Sequence, residues 1–198
     1  LRDELESAYS DKTLTAGGLR VMSTLDPVLQ HEAERAVSDG VERLEKQRDE
    51  HHPEGDPSRL QAVLIELDPD TGSIRSMVGG RDYRSSPYNR AVRSRRQPGS
   101  LFKPFLYARA LEGKGDFRPT LATPVEDREI TVKYERQVWK PTNYDGRYRG
   151  VVPIHEALAQ SLNTPAVRIW QKVGATALRE RLVSVGFGGK LPAVPALA

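Results

Sequence analysis

The stretch Arg96-Gln97-Pro98-Gly99-Ser100-Leu101-Phe102-Lys103-Pro104-Phe105 decides how the rest of this chain is read. From Leu101 to Glu112 the residues are mostly apolar, and Gly113 follows, so the segment reads as a buried helix. Pro104 lacks an N–H and is comfortable only in a first turn, which sets the helix start near Ser100. Three residues of spacing put Ser100 and Lys103 on one helix face, close enough to touch. A serine hydroxyl is a poor nucleophile until a base takes its proton. A lysine serves as that base when burial or a nearby cation lowers its pKa. The free N–H groups and positive dipole end of a helix start also favour negative charge developing beside Ser100.

Spacing alone carries little. With 13 Ser and 8 Lys in 198 residues, chance supplies about half a Ser-x-x-Lys match. Ser161-Leu162-Asn163 is likewise weak by itself, at about 0.2 chance matches. Without neighbours, a plain N-cap serine and a solvated helix lysine are the favoured reading.

Working outward, Thr164-Pro165 starts a helix through about Val173, and another runs from about Ala175 to Val185, ended by Gly186. Pro153 begins a helix through about Gln160. Residues 114–150 read mostly as loop, with short strands around Glu129–Val132 and Gln137–Trp139. Upstream, residues 61–67 and 73–79 flank Asp68-Pro69-Asp70-Thr71-Gly72, the chemistry of a hairpin turn. Asp26-Pro27 gives an N-cap with proline at the first helical position. Val28, Ala33, Ala36, Val37, Val41 and Leu44 then recur at helical spacing, which predicts an amphipathic helix over roughly 27–47. Residues 1–26 read as a helical stub, a glycine turn and a short strand.

Composition narrows the classes. The chain is 37% apolar and 29% charged, ordinary for a globular domain. It has no cysteine, so disulfides, thiolate catalysis and Cys-based zinc sites are excluded. No apolar run approaches the length that crosses a bilayer. The net charge is +3, with Arg90, Arg93, Arg95 and Arg96 clustered. No aromatic residues interleave that cluster as a single-strand binder needs, so it reads as a solvated or acid-paired loop and no nucleic-acid partner is expected. His31, His51, His52 and His155 form no helical pair with an acidic partner, so no metal and no cofactor is expected. His51-His52 reads as an exposed loop, and Trp139 and Tyr144 as packing residues.

The neighbours change the weight of Ser100. Residues 96–105 resemble the nucleophile motif of penicillin-binding proteins in their class A, bifunctional form. Ala157-Leu158-Ala159-Gln160-Ser161-Leu162-Asn163-Thr164-Pro165-Ala166-Val167 is similar to the family's second motif. Gly18-Leu19-Arg20-Val21 with Thr24-Leu25-Asp26-Pro27, residues 77–83, Asn89-Arg90-Ala91 and Trp139-Lys140-Pro141-Thr142-Asn143-Tyr144 resemble it too. The likeness covers almost the whole chain.

What the resemblance implies is an α+β fold of the penicillin-binding-protein and serine β-lactamase type, an antiparallel sheet flanked by helices. The implied activity is a DD-transpeptidase that cross-links peptidoglycan. Ser100 would attack the D-Ala–D-Ala bond of a stem peptide, with Lys103 as base. Ser161 would relay a proton to the leaving amine. Asn163 would bond Lys103 and the substrate amide, and the Ser100 N–H would supply half the oxyanion hole. Peptidoglycan stem peptides and β-lactam antibiotics are the implied partners. The location would be extracytoplasmic, with the anchor and a glycosyltransferase domain on segments outside this chain.

The family's third motif, Lys-Thr-Gly on a strand, has no match: Lys12-Thr13 is followed by Leu14. Residues 1–26 are therefore expected to be interdomain linker and 27–198 the first half of a transpeptidase domain, inactive alone and completed by a companion segment that carries the missing strand. Two other readings remain: an inert scaffold of the same family, and a β-lactamase or β-lactam sensor. The second lacks a convincing deacylating carboxylate, because Glu156 reads as solvated.

Overall fold

The computed structural model describes residues 2–16, 18, 20–51, 59–113, 115, 117–134 and 137–188. The chain divides into two compact units, Leu1–Arg95 and Arg96–Ala198.

The first unit opens with two short helices, α1 (Arg2–Ala8) and α2 (Asp11–Thr15). Helix α3 (Pro27–His51) is longer than its apolar spacing predicts. Its start is as expected: Asp26 Oδ1 accepts from the N–H groups of Val28 at 2.9 Å and Leu29 at 3.3 Å. Its buried stripe is narrower, however. Ala33, Val37 and Val41 are buried, one turn apart each, whereas Val28, Ala36 and Leu44 stay exposed. The stripe packs on an antiparallel hairpin, β1 (Leu64–Leu67) and β2 (Ile74–Val78), through Val78, Leu64, Ala62 and Leu60. The tight turn is closed by Asp68, whose Oδ1 accepts from Asp70 N and Thr71 N.

Among the described residues before Asp26 the expected short strand is not formed. That segment meets β2 through Thr24 Oγ1 to Ile74 O at 2.7 Å, Asp26 N to Arg75 O at 2.8 Å and the Arg75 guanidinium to Asp26 Oδ2 at 3.3 Å. These contacts form no backbone ladder. A one-turn helix, α4 (Arg90–Arg93), is capped by Asn89 Oδ1 on Ala91 N. His51 ends α3 rather than opening a loop, and His52 lies outside the described residues.

The second unit is built on α5 (Lys103–Leu111), entered through a 3-10 turn at Gly99–Phe102. Around it pack α6 (Ile154–Ala159), α7 (Asn163–Val173) and α8 (Ala175–Ser184), all close to the predicted bounds. Leu106, Tyr107, Ala157, Ala166, Ile169, Leu178 and Leu182 form the core of this unit. Phe105 meets Phe102 and Phe187 edge to face, and those two rings are tilted against each other.

Two antiparallel pairs flank these helices: β3 (Pro124–Asp127) with β6 (Gly150–Pro153), and β4 (Val132–Tyr134) with β5 (Gln137–Trp139). The β3–β6 pair lies in a segment read mostly as loop and closes with Pro124 opposite Pro153. The strand expected at Glu129–Val132 begins at Val132 instead, because the carbonyls of Arg128 and Glu129 accept from the Arg168 guanidinium. The described strands thus form three two-stranded sheets, all antiparallel, rather than one.

Candidate active site

Gly99, at φ +56°, turns the chain into the 3-10 turn that carries Ser100. Ser100 is exposed, and among the described residues its hydroxyl makes no hydrogen bond. One turn on, Lys103 is only 1% exposed, and no hydrogen bond joins it to the Ser100 hydroxyl, so the direct contact expected from their spacing is not made here.

Three acceptors meet its ammonium. Lys103 Nζ donates to Ser161 O at 2.7 Å, to Ser161 Oγ at 3.2 Å and to Asn163 Oδ1 at 2.6 Å. No carboxylate is among these partners, so burial is uncompensated by opposite charge. Burial therefore lowers the Lys103 pKa from 10.5 to about 8. Neutral amine is accessible near physiological pH, the state a proton acceptor must have.

Ser161 sits between α6 and α7 at φ +52°, the one non-glycine residue in the left-handed region among those described. This strained turn lets both its carbonyl and its hydroxyl face Lys103. Asn163 is the first residue of α7. Its side chain is fixed on two sides: Oδ1 accepts from Lys103, and Nδ2 donates to Thr142 O at 2.7 Å.

A cleft of about 390 Å³ reaches this cluster at Asn163 and is lined by Gly99, Ser100, Trp139, Lys140 and Thr142 among others. A slightly larger cleft, about 420 Å³, lies in the first unit around Gly79 and Asn89 and contains none of the four predicted site residues. The structure thus brings Lys103, Ser161 and Asn163 into direct contact, and sets Ser100 with Asn163 on the wall of one cleft.

Trp139, read from sequence as packing, lines that cleft half-buried, and Tyr144 is fully exposed and packs on nothing. Glu156 is half-buried and accepts from Gln160 at 2.9 Å instead of facing solvent freely. Sequence reasoning missed a buried polar group behind the cluster. Asp127 is 0% exposed and accepts from Asn143, Thr164 and the Arg149 N–H. In the sequence it stands in Glu126-Asp127-Arg128-Glu129, which has the look of a solvated charged run.

The family described as the penicillin-binding protein transpeptidase domain matches residues 62–194. Penicillin-binding protein 1B of Vibrio cholerae is 39% identical over 184 residues, 92% of this chain and 22% of that protein. Penicillin-binding protein 1A of Neisseria cinerea is 41% identical over 143 residues, 70% of this chain and 17% of that protein. The chain spans about a fifth of the length of the curated relatives it matches. Among solved structures, PonA1 from Mycobacterium tuberculosis in complex with penicillin V aligns with a TM-score of 0.71 at 30% identity, over 98% of this chain and 46% of that one. Penicillin-binding protein 1A from Haemophilus influenzae aligns at 0.65 and 37% identity, over 72% of this chain and 21% of that one. The mixed helices and antiparallel strands are those of the penicillin-binding-protein and β-lactamase-like transpeptidase fold, and the chain belongs to the penicillin-binding protein transpeptidase family.

Proposed function

We propose that this chain carries the acylating half of a peptidoglycan DD-transpeptidase, with Ser100 as nucleophile and Lys103 as its base. The observation that supports this most is the buried Lys103 amine, lowered to about 8, one helical turn from an exposed serine on a cleft wall. Neutral Lys103 takes the Ser100 proton as Oγ attacks the penultimate D-Ala carbonyl of a stem peptide. The Ser100 backbone N–H stabilises the resulting oxyanion. The C–N bond then breaks. Ser161 relays the proton from Lys103 to the departing D-alanine amine, and Asn163 holds Lys103 and the substrate amide. An amine of a neighbouring stem attacks the acyl-enzyme, which restores the Ser100 hydroxyl. β-Lactams mimic the acyl donor and remain on Ser100. The reaction is extracytoplasmic, where its substrate is.

A companion segment supplies the Lys-Thr-Gly strand, since no such triplet occurs in this sequence. Residues 1–26 are linker, 27–198 are the first half of the transpeptidase domain, and the parent protein also carries a glycosyltransferase.

A fluorescent penicillin tests this on the full-length protein. The expected result is covalent label that mass spectrometry places on Ser100 and that Ser100→Ala abolishes. No label on the wild-type protein would favour the scaffold reading, and label that turns over in seconds would favour the β-lactamase reading.

A further inference from the structure

We propose that Asp127 is a positioning residue for the Lys103–Ser161–Asn163 cluster and acts through Asn143. The inference rests on the reading of Ser100 and Lys103 as an acylating pair.

Asp127 is wholly buried at the end of β3. A buried carboxylate is costly unless its oxygens are satisfied. Here they are satisfied by neutral donors: Asn143 Nδ2 at 2.8 and 3.0 Å, Thr164 Oγ1 at 2.6 Å and Arg149 N at 2.8 Å. The Arg149 guanidinium stands further off, at 4.0 Å. Burial and the Asp127 charge both push the Tyr107 phenol up, and its buried hydroxyl has no partner among the described residues. The site tolerates these costs, and the hydrogen-bond directions show what they achieve.

An ionised carboxylate only accepts. It therefore forces the NH₂ end of Asn143 toward itself and the Oδ1 end away. That Oδ1 accepts from Asn163 N at 2.8 Å. Asn163 N is a free donor of the first turn of α7, so Asn143 acts as its cap from outside the helix. The Asn143 Nδ2 also donates to Arg147 O at 2.7 Å, which holds the amide plane. Asp127 grips the next residue, Thr164, directly. One carboxylate thus fixes two consecutive residues at the start of α7. The first of them, Asn163, presents Oδ1 to Lys103 Nζ. Every donor and acceptor along Asp127, Asn143, Asn163 and Lys103 has one allowed direction.

Asp127→Asn is nearly isosteric but can set an NH₂ against the Asn143 NH₂. Asn143 then turns, its NH₂ meets the Asn163 N–H, and the cap is lost. The test uses full-length protein and measures two quantities for a fluorescent penicillin: the dissociation constant of the first complex and the acylation rate constant. Asp127→Asn is expected to lower the rate constant roughly 10- to 100-fold, the scale of a small misplacement of reacting groups, with the dissociation constant little changed. Thr164→Val removes the other bond by which the carboxylate holds α7 but leaves Asn143 capping Asn163, and is expected to lower the rate clearly less than Asp127→Asn does. Asn143→Ala should lower it as Asp127→Asn does, and the double variant should fall no further than either single one. Additive losses, equal losses in Asp127→Asn and Thr164→Val, or a wild-type rate in Asp127→Asn would overturn the positioning role while the Ser100 reading stands. A wild-type protein unlabelled at Ser100 would overturn both.

Discussion

At the scale of single residues, two unfavourable choices meet at the site. Ser161 holds a left-handed φ of +52°, which costs an L-residue about 1 kcal/mol relative to glycine. Ser161→Gly should therefore be more stable than Ser161→Ala by about that amount, while both lose acylation. Urea midpoints of the two variants decide it, and equal midpoints would mean the turn is unstrained. Lys103 is the second choice. Its folded pKa, about 8, lies below its ordinary 10.5, so the unfolded chain binds more protons between these values. The lysine thus disfavours folding below pH 8, on the order of 3 kcal/mol, and this burden fades as pH rises through 10.5. Wild type should gain stability relative to Lys103→Met between pH 7.5 and 9.5; parallel profiles would show an ordinary lysine. Its acylation rate should rise through the same pH 8 region. The contact among Lys103, Ser161 and Asn163 could be anticipated from the sequence because these residues, like the candidate nucleophile Ser100, lie in short strings with a recognisable neighbour pattern. Asp127 was not: its partners are 16 and 37 residues away, and no local pattern separates a buried acid from a solvated one.

At the scale of elements, helices were legible and short strands less so. Helices α5 to α8 announce themselves by proline and glycine at their ends and by apolar spacing within. Strands β3 and β6 pair across some twenty-five residues and carry charge and proline, so local composition hides them. Tertiary packing also trims what periodicity promises: α3 buries Ala33, Val37 and Val41, while Val28 and Leu44 are apolar without being covered. The junction of β2 and α4 makes a sharper claim. Arg90 N donates to Gly79 O at 2.9 Å, which draws Asn89 onto the Gly79 Cα. A Cβ at Gly79 would lie 2.6 Å from Asn89 Cγ and 2.8 Å from Asn89 Cα, and the latter is backbone that cannot swing aside. Gly79→Ala should cost about 1–3 kcal/mol, because the α4 cap must move with it. A urea midpoint at the wild-type value would show that Asn89 is free to shift.

At the scale of the whole molecule, the family and fold class could be read from ordered motifs, but the sheet could not. Hairpin β1–β2 was expected, and a lone hairpin is marginal in water. Its two faces differ. Leu64 and Val78 turn to α3, whereas Ile65 and Leu67 of β1, and Val63 just before it, are exposed, Ile65 at 45%. Apolar residues at alternate positions on the outer side of a strand are what a sheet covered on both faces contains. The companion segment proposed to bring the Lys-Thr-Gly strand would cover this face in the full-length protein. Ile65 then becomes a core residue there, although it reads as surface in these 198 residues. Ile65→Lys in the full-length protein should cost at least about 2 kcal/mol, as a buried unpaired charge does, instead of the roughly 0.5 kcal/mol typical of a surface change. The shift in its denaturation midpoint measures this. A loss at the surface level would show that the outer face of the hairpin stays in water, and the companion segment would then have to complete the site from elsewhere.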